Sequence, residues 1–324
     1  MKKHSFSILS VAFVLISLTA FVLAPEEVGN GARKGLSVCA GVIVPNLMPF
    51  LVLSSLATLS GLPDLISKLA GGVMEKLFSV SGLGCTPLIM GLTGGYPAGA
   101  AAIAQLVREG QLSSDDGERL LPFCNNTGPA FIIGAAGVGI FASAQSGIIL
   151  YLSHIASALI AGIFLSLGKK KIPAPPLYPF EKRSFAEALP ESIRYAVTTT
   201  INICGYVVFF SVITALLDCA GLIQGLAGTL ALRTGLEIGF LRSLLVGILE
   251  LGSGIGSMAG LMNTPLNLAL ASFILGFGSL SVHCQTLAVL AGTKIKCARH
   301  FAGRILIGLI SAFVTLAVST LLQS

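Results

Sequence analysis

One acidic residue lies in the interior of an apolar segment of this sequence. Glu250 falls within residues 240–262, a stretch otherwise apolar enough to cross a bilayer. A carboxylate at that depth costs at least about 2.5–3.5 kcal/mol, so its position needs a physical reason. Glu250 could bind a proton or Na⁺, hold a donor group of a substrate, or accept a structural hydrogen bond from unwound backbone.

Closely spaced glycines follow Glu250, and a similar cluster occurs in the first half of the chain. The two clusters are Gly252, Ser253, Gly254 and Gly256, and Gly94, Gly95, Tyr96, Pro97 and Gly99. We predict that each one breaks a helix, which membranes tolerate only where the break is buried in protein or lines a cavity. The free N–H groups of each second half-helix would then offer a seat for a carboxylate. Close helix packing through small residues is the alternative interpretation.

Polar side chains interrupt a further apolar segment after each glycine cluster. The two groups are Asn125, Asn126 and Thr127, and Ser281, His283 and Gln285. His283 could relay protons or donate to a substrate, and a histidine that serves only packing fits equally well. We predict that both groups and both breaks converge on one substrate-binding site.

The composition defines the class of protein. Hydrophobic residues make up 54% of the 324 positions and charged residues only 10%, whereas a soluble domain carries about 25% charge. The sequence therefore predicts an all-α, polytopic transmembrane bundle. The net charge of +6 is explained by membrane topology, so we expect no nucleic-acid partner.

Motifs for catalysis and metal binding are absent from the sequence. Its seven scattered cysteines include no CxxC pair, which argues against a disulfide framework and a zinc site. No nucleotide-binding, metalloprotease or nucleophile motif is present, so we expect no enzyme and no cofactor. A coupling ion, H⁺ or Na⁺, stays open, and a membrane enzyme using Glu250 and His283 as acid and base is the least favoured alternative.

The interruptions recur with similar spacing in the two halves of the chain. Thirty-one residues separate Gly94 from Asn125, and thirty-one separate Glu250 from Ser281. We predict a duplicated unit with four parts: an N-terminal transmembrane anchor at 1–35 that is not cleaved, a first repeat at 36–168, a cytoplasmic linker at 169–195 and a second repeat at 196–324.

Charge predicts how the two repeats are oriented. With the N-terminus in the cytoplasm and each broken hairpin re-entrant, sixteen of the twenty Lys and Arg residues, Arg304 among them, fall on the inner side. This is a strong positive-inside bias. The repeats are then inverted, and inverted repeats with discontinuous helices are a recurring plan of secondary transporters.

Four motifs resemble one family. They are residues 91–100 (GLTGGYPAGA), 123–129 (FCNNTGP), 250–254 (ELGSG) and 276–285 (GFGSLSVHCQ). They are similar to the sporulation integral membrane protein YlbJ family, which belongs to the wider nucleoside-recognition, or Gate, membrane domains. The resemblance implies two Gate-like repeats, transport during sporulation, and dipicolinic acid as cargo. A planar dicarboxylate would suit two inward helix N-termini.

The resemblance leaves other functions open. A nucleoside or ion transporter of the Gate class and a non-transporting scaffold or subunit of a sporulation complex are the alternatives. We expect a multi-pass cell-membrane protein whose partners are the lipid bilayer and a small-molecule substrate. A homo-oligomer and association with other sporulation membrane proteins both stay open.

Overall fold

The chain is helical wherever the structure describes it. A computed structural model describes residues 8–168 and 183–323, and no strand occurs within these ranges. The helices of the first range are α1 (Ile8–Leu23), α2 (Pro25–Val38), α3 (Val44–Leu59), α4 (Leu62–Phe78), α5 (Cys85–Gly94), α6 (Ala98–Arg108), α7 (Ser114–Cys124) and α8 (Ala144–Ser166). Those of the second are α9 (Phe185–Cys219), α10 (Leu222–Thr234), α11 (Ile238–Leu249), α12 (Leu251–Gly256), α13 (Pro265–Phe277), α14 (Ser279–Leu290) and α15 (Ala298–Gln323). Cys39–Ile43 and Ala130–Ile140 are π-helical, and Gly82–Gly84 forms a 3₁₀ turn.

Several helices are built to cross a membrane. Within the described ranges, four are long and apolar enough: Ala144–Ser166, Phe185–Cys219, Pro265–Leu290 and Ala298–Leu322. Two bent pairs qualify only when joined, Val11–Leu23 with Pro25–Gly41 at 102° and Lys68–Phe78 with Gly82–Gly94 at 100°. The predicted all-α, polytopic architecture is confirmed. The inverted relation of its halves stays a prediction.

The first glycine cluster breaks a helix as predicted. Residues 95–97 separate α5 from α6, and Gly95 has a φ of 77°, a conformation that glycine adopts without steric cost. The polar group at 125–127 is likewise non-helical and joins α7 to the π-helical segment. At both places some backbone groups lack intrahelical partners, and the two places lie next to each other in the fold.

The second half is broken more sharply than predicted. α11 ends at Leu249 and α12 begins at Leu251, so the break is Glu250 alone. The prediction that the following glycines unwind the helix is wrong, because Gly252, Gly254 and Gly256 are helical. A Cβ on Gly254 would lie 2.2 Å from the Gly247 Cα, so Gly254 serves close packing.

The interruption around residue 281 is also shorter than predicted. Only Gly278, at φ 94°, separates α13 from α14. Ser281, His283 and Gln285 are therefore side chains of a regular helix. Their polar groups reach their partners from the face of α14 and not from an unwound loop.

The predicted linker is partly helical. α9 begins at Phe185, where Ser184 and Glu187 form a capping box that satisfies the first N–H groups of the helix. The last part of the predicted linker is thus the first part of a 35-residue helix. Residues 169–182 of that linker lie outside the described ranges.

One buried apolar cluster holds the two halves together. Tyr96 and Ile132 come from the first half, and Leu251, Ile255 and Leu275 come from the second. Because the cluster includes residues that adjoin both breaks, packing of the core fixes the breaks relative to each other. The candidate site lies against this cluster.

Candidate functional site

The two breaks open onto one cavity, which we call the small cavity. It measures about 100 Å³. Seven of the predicted site residues line it: Gly94, Gly95, Tyr96, Thr127, Glu250, Gly252 and Gln285. Apolar residues of α2, α3, α9 and the 39–43 segment, among them Val38, Ile43, Leu47, Phe50, Ile203 and Val207, close the rest of the wall. The two halves thus meet at a largely apolar cavity that contains one carboxylate.

Glycines at the first break allow backbones to touch. A Cβ on Gly99 would lie 1.8 Å from the Cys124 carbonyl oxygen, and one on Gly91 would lie 1.6 Å from it. Gly95 and Gly128 are also in close contact, because a Cβ added to Gly128 would lie 3.1 Å from the Gly95 Cα. Gly99 is therefore a packing residue that does not line the small cavity, and it holds the end of α7 against the break.

A buried arginine connects the first break to the last described helix. Arg304 of α15 is 0% exposed, and it donates to the Tyr96 hydroxyl, to the Asn125 carbonyl at 2.9 Å and to Asn126 Oδ1 at 3.2 Å. Its guanidinium carbon also lies 5.3 Å from the centre of the Tyr96 ring, within cation–π range. A buried arginine needs this many acceptors because it cannot lose its charge.

Sequence reasoning missed the role of Arg304. Our topology counted Arg304 with the inner-side charges, whereas the structure places its side chain in the buried core. The signal in the sequence was that Arg304 falls inside the apolar helix Ala298–Gln323. Ionisable groups inside membrane spans are rare, and they usually pair with other buried groups or mark a functional site. The orientation that the charge count predicted stays a prediction.

Glu250 holds the second break with its own side chain. The residue is 2% exposed, and its carboxylate accepts from Gly252 N at 2.9 Å and from Ser253 N at 2.5 Å. It is thus the N-cap of α12 and lies at the positive end of the helix dipole. The predicted seat for a substrate carboxylate at this N-terminus is wrong, because Glu250 already fills it.

The first polar group mainly ties its own loop in place. Asn125 donates to Thr286 Oγ1 at 2.8 Å, and Asn126 donates to the Phe123 carbonyl at 2.6 Å. Thr127 donates to the Leu275 carbonyl at 2.9 Å and is the one member that lines the small cavity. The structure therefore brings Thr127 to the cavity and places Asn125 and Asn126 behind it.

The second polar group divides in the same way. Gln285 lines the small cavity, and its amide donates to Ser281 Oγ at 3.4 Å. His283 Nδ1 lies 3.3 Å from His300 Nε2, and its ring packs against Phe277 and Phe301. Four other predicted site residues do not line the small cavity: Ser253, Gly254, Ser281 and His283. His283 therefore sits in an aromatic cluster outside the small cavity.

Pro97 faces a different cavity, which it shares with Gln285. The described residues contain no group of three or more His, Cys, Asp or Glu side chains that could hold a metal ion. The side chains that line the small cavity and carry polar groups are those of Thr93, Tyr96, Thr127, Glu250 and Gln285.

Comparison with known proteins shows to which family the chain belongs. It is 33% identical to the sporulation integral membrane protein YlbJ of Bacillus subtilis (strain 168), an alignment that covers 96% of this chain and 83% of that protein. The chain belongs to the YlbJ family. A family model described as "Nucleoside recognition" also matches residues 40–170. No solved structure matches the chain at a significant level. This YlbJ-family chain is an integral membrane protein with a Gate domain, and residues 40–170 include the first break and the 125–129 loop.

Proposed function

We propose that this protein is a secondary transporter of a small metabolite and that the small cavity is its gated centre. The observation that carries the proposal is the convergence of two broken helices, one from each half, on a cavity lined by a single, buried acid. Broken helices that meet at mid-membrane are the usual construction of transporter sites. An ordinary structural bundle has no need of either the break or the buried carboxylate.

Glu250 gives the proposed transporter a means of ion coupling. Two negative charges in a largely apolar cavity repel each other strongly, because little water screens them. An anionic substrate can therefore approach Glu250 only when the carboxylate is protonated or paired with a cation. We propose that H⁺ or Na⁺ occupies Glu250 during the step that carries the substrate.

The proposed substrate is a small anionic or heterocyclic metabolite. The Bacillus subtilis relative is named for sporulation, and dipicolinic acid, the cargo that the family resemblance implies, is the first candidate. Nucleosides come second because of the description of the matching family model. The positive-inside bias supports a cytoplasmic N-terminus, with the 169–195 linker on the same side.

The site residues have separate proposed roles. Gly94, Gly95 and Gly252 let the backbone approach the ligand, while Tyr96 and Pro97 form the fixed edge of the first break. Asn125, Asn126, Ser253, Gly254 and Ser281 support that geometry from behind, as do Gly99 and His283. Thr127 and Gln285 then supply the hydrogen bonds that position a substrate beside Glu250.

Transport can be tested on the purified full chain in proteoliposomes. Uptake of labelled dipicolinate, uridine and adenosine would be measured with no gradient, an inward H⁺ gradient and an inward Na⁺ gradient. We expect uptake of at least one solute, faster under one of the two gradients, and loss of that gradient effect in Glu250→Gln. No uptake of any solute under any gradient would contradict the proposal.

A sporulation scaffold is the alternative function. The small cavity, at about 100 Å³, lies below the roughly 300–1,000 Å³ of ordinary ligand pockets, which is the observation that favours a structural role. Under this alternative, a sporulating strain carrying Glu250→Gln forms spores normally, whereas changes in the 169–195 linker disturb sporulation.

A further inference from the structure

A second and larger cavity, which we call the polar cavity, lies beside the small cavity. It measures about 450 Å³. Ile203 and Gln285 line both cavities, and the first break gives Tyr96 to the small cavity and Pro97 to the polar cavity. One layer of side chains and the backbone of residues 96–97 therefore separate the polar cavity from the space beside Glu250.

One face of α9 forms a polar wall of this cavity. Tyr195, Thr199, Asn202 and Tyr206 all line it, and their spacing of four, three and four residues places them in one stripe along the helix. α9 as a whole is apolar enough to cross a membrane. Polar side chains within a membrane span usually face the interior of the bundle or a water-filled space. The stripe is therefore suited to contact with water.

Charged residues mark the mouth of the polar cavity. Arg108 and Glu191 both line it. Arg108 is exposed, and Glu191 pairs with the exposed Arg183. Twelve residues of α9 separate Glu191 from Ile203, a distance of about 18 Å along a helix. The cavity thus extends from a charged surface to the layer beside the small cavity.

Both cavities lie in a seam between two separately packed parts of the fold. The first part, which we call the panel, consists of α2, residues 39–43, α3 and α9. Its helices are tightly joined, since a Cβ on Gly31 would lie 2.8 Å from the Val212 Cα. Among the described residues, the apolar cluster around Cys39 and Ile203 belongs to the panel alone. The second part, which we call the body, contains both breaks and α14, and its two large apolar clusters include no panel residue.

The seam is closed at its other end. On the panel side, apolar residues such as Ile43, Leu47 and Phe50 form the wall of the small cavity. Near the end of α9 that lies away from the mouth, Asp218 of the panel forms an ion pair with Arg242 of the body. Apolar packing and this ion pair therefore close the seam beyond the small cavity, whereas the polar stripe faces the seam on the side of the mouth.

We propose that the polar cavity is a water-filled, one-sided access route that leads from the mouth at Arg108 and Glu191 to the small cavity. The layer that contains Ile203 and Gln285 is the barrier at the end of the route. The charge-based topology predicts that the mouth opens to the cytoplasm. This inference rests on the proposed transport function, to which it adds the path that a transported molecule takes.

Thiol labelling tests the route without any measurement of transport. The full chain would carry Thr199→Cys or Asn202→Cys in inside-out and right-side-out membrane vesicles, and Glu191→Cys would identify the side of the mouth. A charged, membrane-impermeant maleimide would be added, and tandem mass spectrometry would assign the label to individual cysteines. Because hydrated thiolates are the reactive form, we expect both stripe variants to react about tenfold or more faster from the side that labels Glu191→Cys than from the other side.

Two further variants report on the limits of the route. Ile201 adjoins Asn202 in sequence but is 64% exposed and lines neither cavity, so Ile201→Cys is the control for a residue that faces lipid. Val207 lines only the small cavity, beyond the barrier. We expect Ile201→Cys and Val207→Cys to react at least about tenfold more slowly than Asn202→Cys.

Three results would overturn the inference. They are stripe variants that react no faster than Ile201→Cys, stripe variants labelled equally from both sides or from the side opposite Glu191→Cys, and a Val207→Cys variant that reacts as fast as Asn202→Cys. Failure of the route and failure of the transport function are distinguishable. Uptake of a solute by proteoliposomes without the expected labelling would remove only the route, whereas the expected labelling without uptake of any solute would contradict the transport function.

Discussion

The two helix breaks differ in what holds them open. The first, at residues 95–97, contains no charged side chain and depends on distant elements: the Cys124 carbonyl of α7 and the Arg304 side chain of α15. The second, at Glu250, is capped by its own carboxylate through Gly252 N and Ser253 N. Backbone packing and a hydrogen bond to the Tyr96 side chain, both from other helices, hold the first break, whereas at the second break the freed N–H groups are paired locally.

The two breaks should therefore differ in how they respond to a bound proton or cation. A break supported from several helices is rigid, because no single neighbour can leave without exposing buried polar groups. A break supported by one titratable side chain changes when that side chain binds a proton or a cation. We therefore expect substitutions at the first break to act on folding, and substitutions at the second to act chiefly on coupling.

The largest effect is expected at the close backbone contact of the first break. Gly99→Ala would place a Cβ 1.8 Å from the Cys124 carbonyl oxygen, so α6 and α7 must separate. We expect a loss of at least about 3 kcal/mol of stability, measured by thermal unfolding in detergent with circular dichroism. Gly205→Ala is the matched control because nothing lies within 4 Å of its added Cβ. Equal stability of both variants would contradict the tight contact.

A slightly smaller loss is expected when Arg304 is replaced. Arg304→Met keeps the bulk but leaves the Asn125 carbonyl and the Tyr96 hydroxyl without their donor. Buried unpaired acceptors cost about 1–3 kcal/mol each, so we expect a loss of about 3 kcal/mol by the same measurement. Arg299→Met removes an exposed ion pair of the same helix and should cost under about 1 kcal/mol. A stable Arg304→Met protein would mean that the first break supports itself.

Replacing the side chain that supports the second break should cost less stability than replacing Arg304. Glu250→Gln retains one carbonyl oxygen for the α12 N–H groups, and loss of an N-cap costs about 0.5–2 kcal/mol. We expect a loss of about 1 kcal/mol, smaller than for Arg304→Met. A loss larger than that of Arg304→Met would reverse the comparison and make Glu250 the principal structural residue.

The smallest effect concerns Asp116, in the first turn of the helix that carries Cys124 to the first break. Asp116 lies outside the apolar spans, and burial raises the pKa of its carboxyl from 3.8 to about 6. Because the folded protein holds this proton more tightly than the unfolded chain, stability should fall as pH rises from about 4 through 6. We expect a decrease on the order of 1 kcal/mol between pH 5 and pH 8, and a flatter profile for Asp116→Asn. Identical pH profiles for the two proteins would exclude this contribution.

The sequence predicted features that depend on local pattern. Apolar length and low charge predicted the helical membrane bundle, and the Gly94–Gly99 cluster and the Asn125–Thr127 group predicted where helices end. The position of Glu250 predicted a buried carboxylate at a break. Each of these follows from residues within a few positions of one another.

Features that depend on three-dimensional partners were predicted less well. Gly252 and Gly254 were expected to unwind a helix, but they are helical, because the Glu250 carboxylate caps the helix and Gly254 packs closely against Gly247. His283 was set equally between function and packing, since sequence does not show that Phe277, His300 and Phe301 surround it. The polar residues Tyr195, Thr199, Asn202 and Tyr206 of α9 were overlooked because three or four positions separate them in sequence and they meet only on one face of the helix.

The bond between Arg304 and Tyr96 joins residues that are 208 positions apart. During synthesis, the first break leaves the ribosome long before the helix that fastens it. Until that final segment enters the bilayer, the Tyr96 hydroxyl and the 125–126 loop lack their cation. Biogenesis must therefore keep an unfinished first half from aggregating or being degraded, and a stop codon ahead of codon 304 should yield a short-lived fragment that never closes its centre.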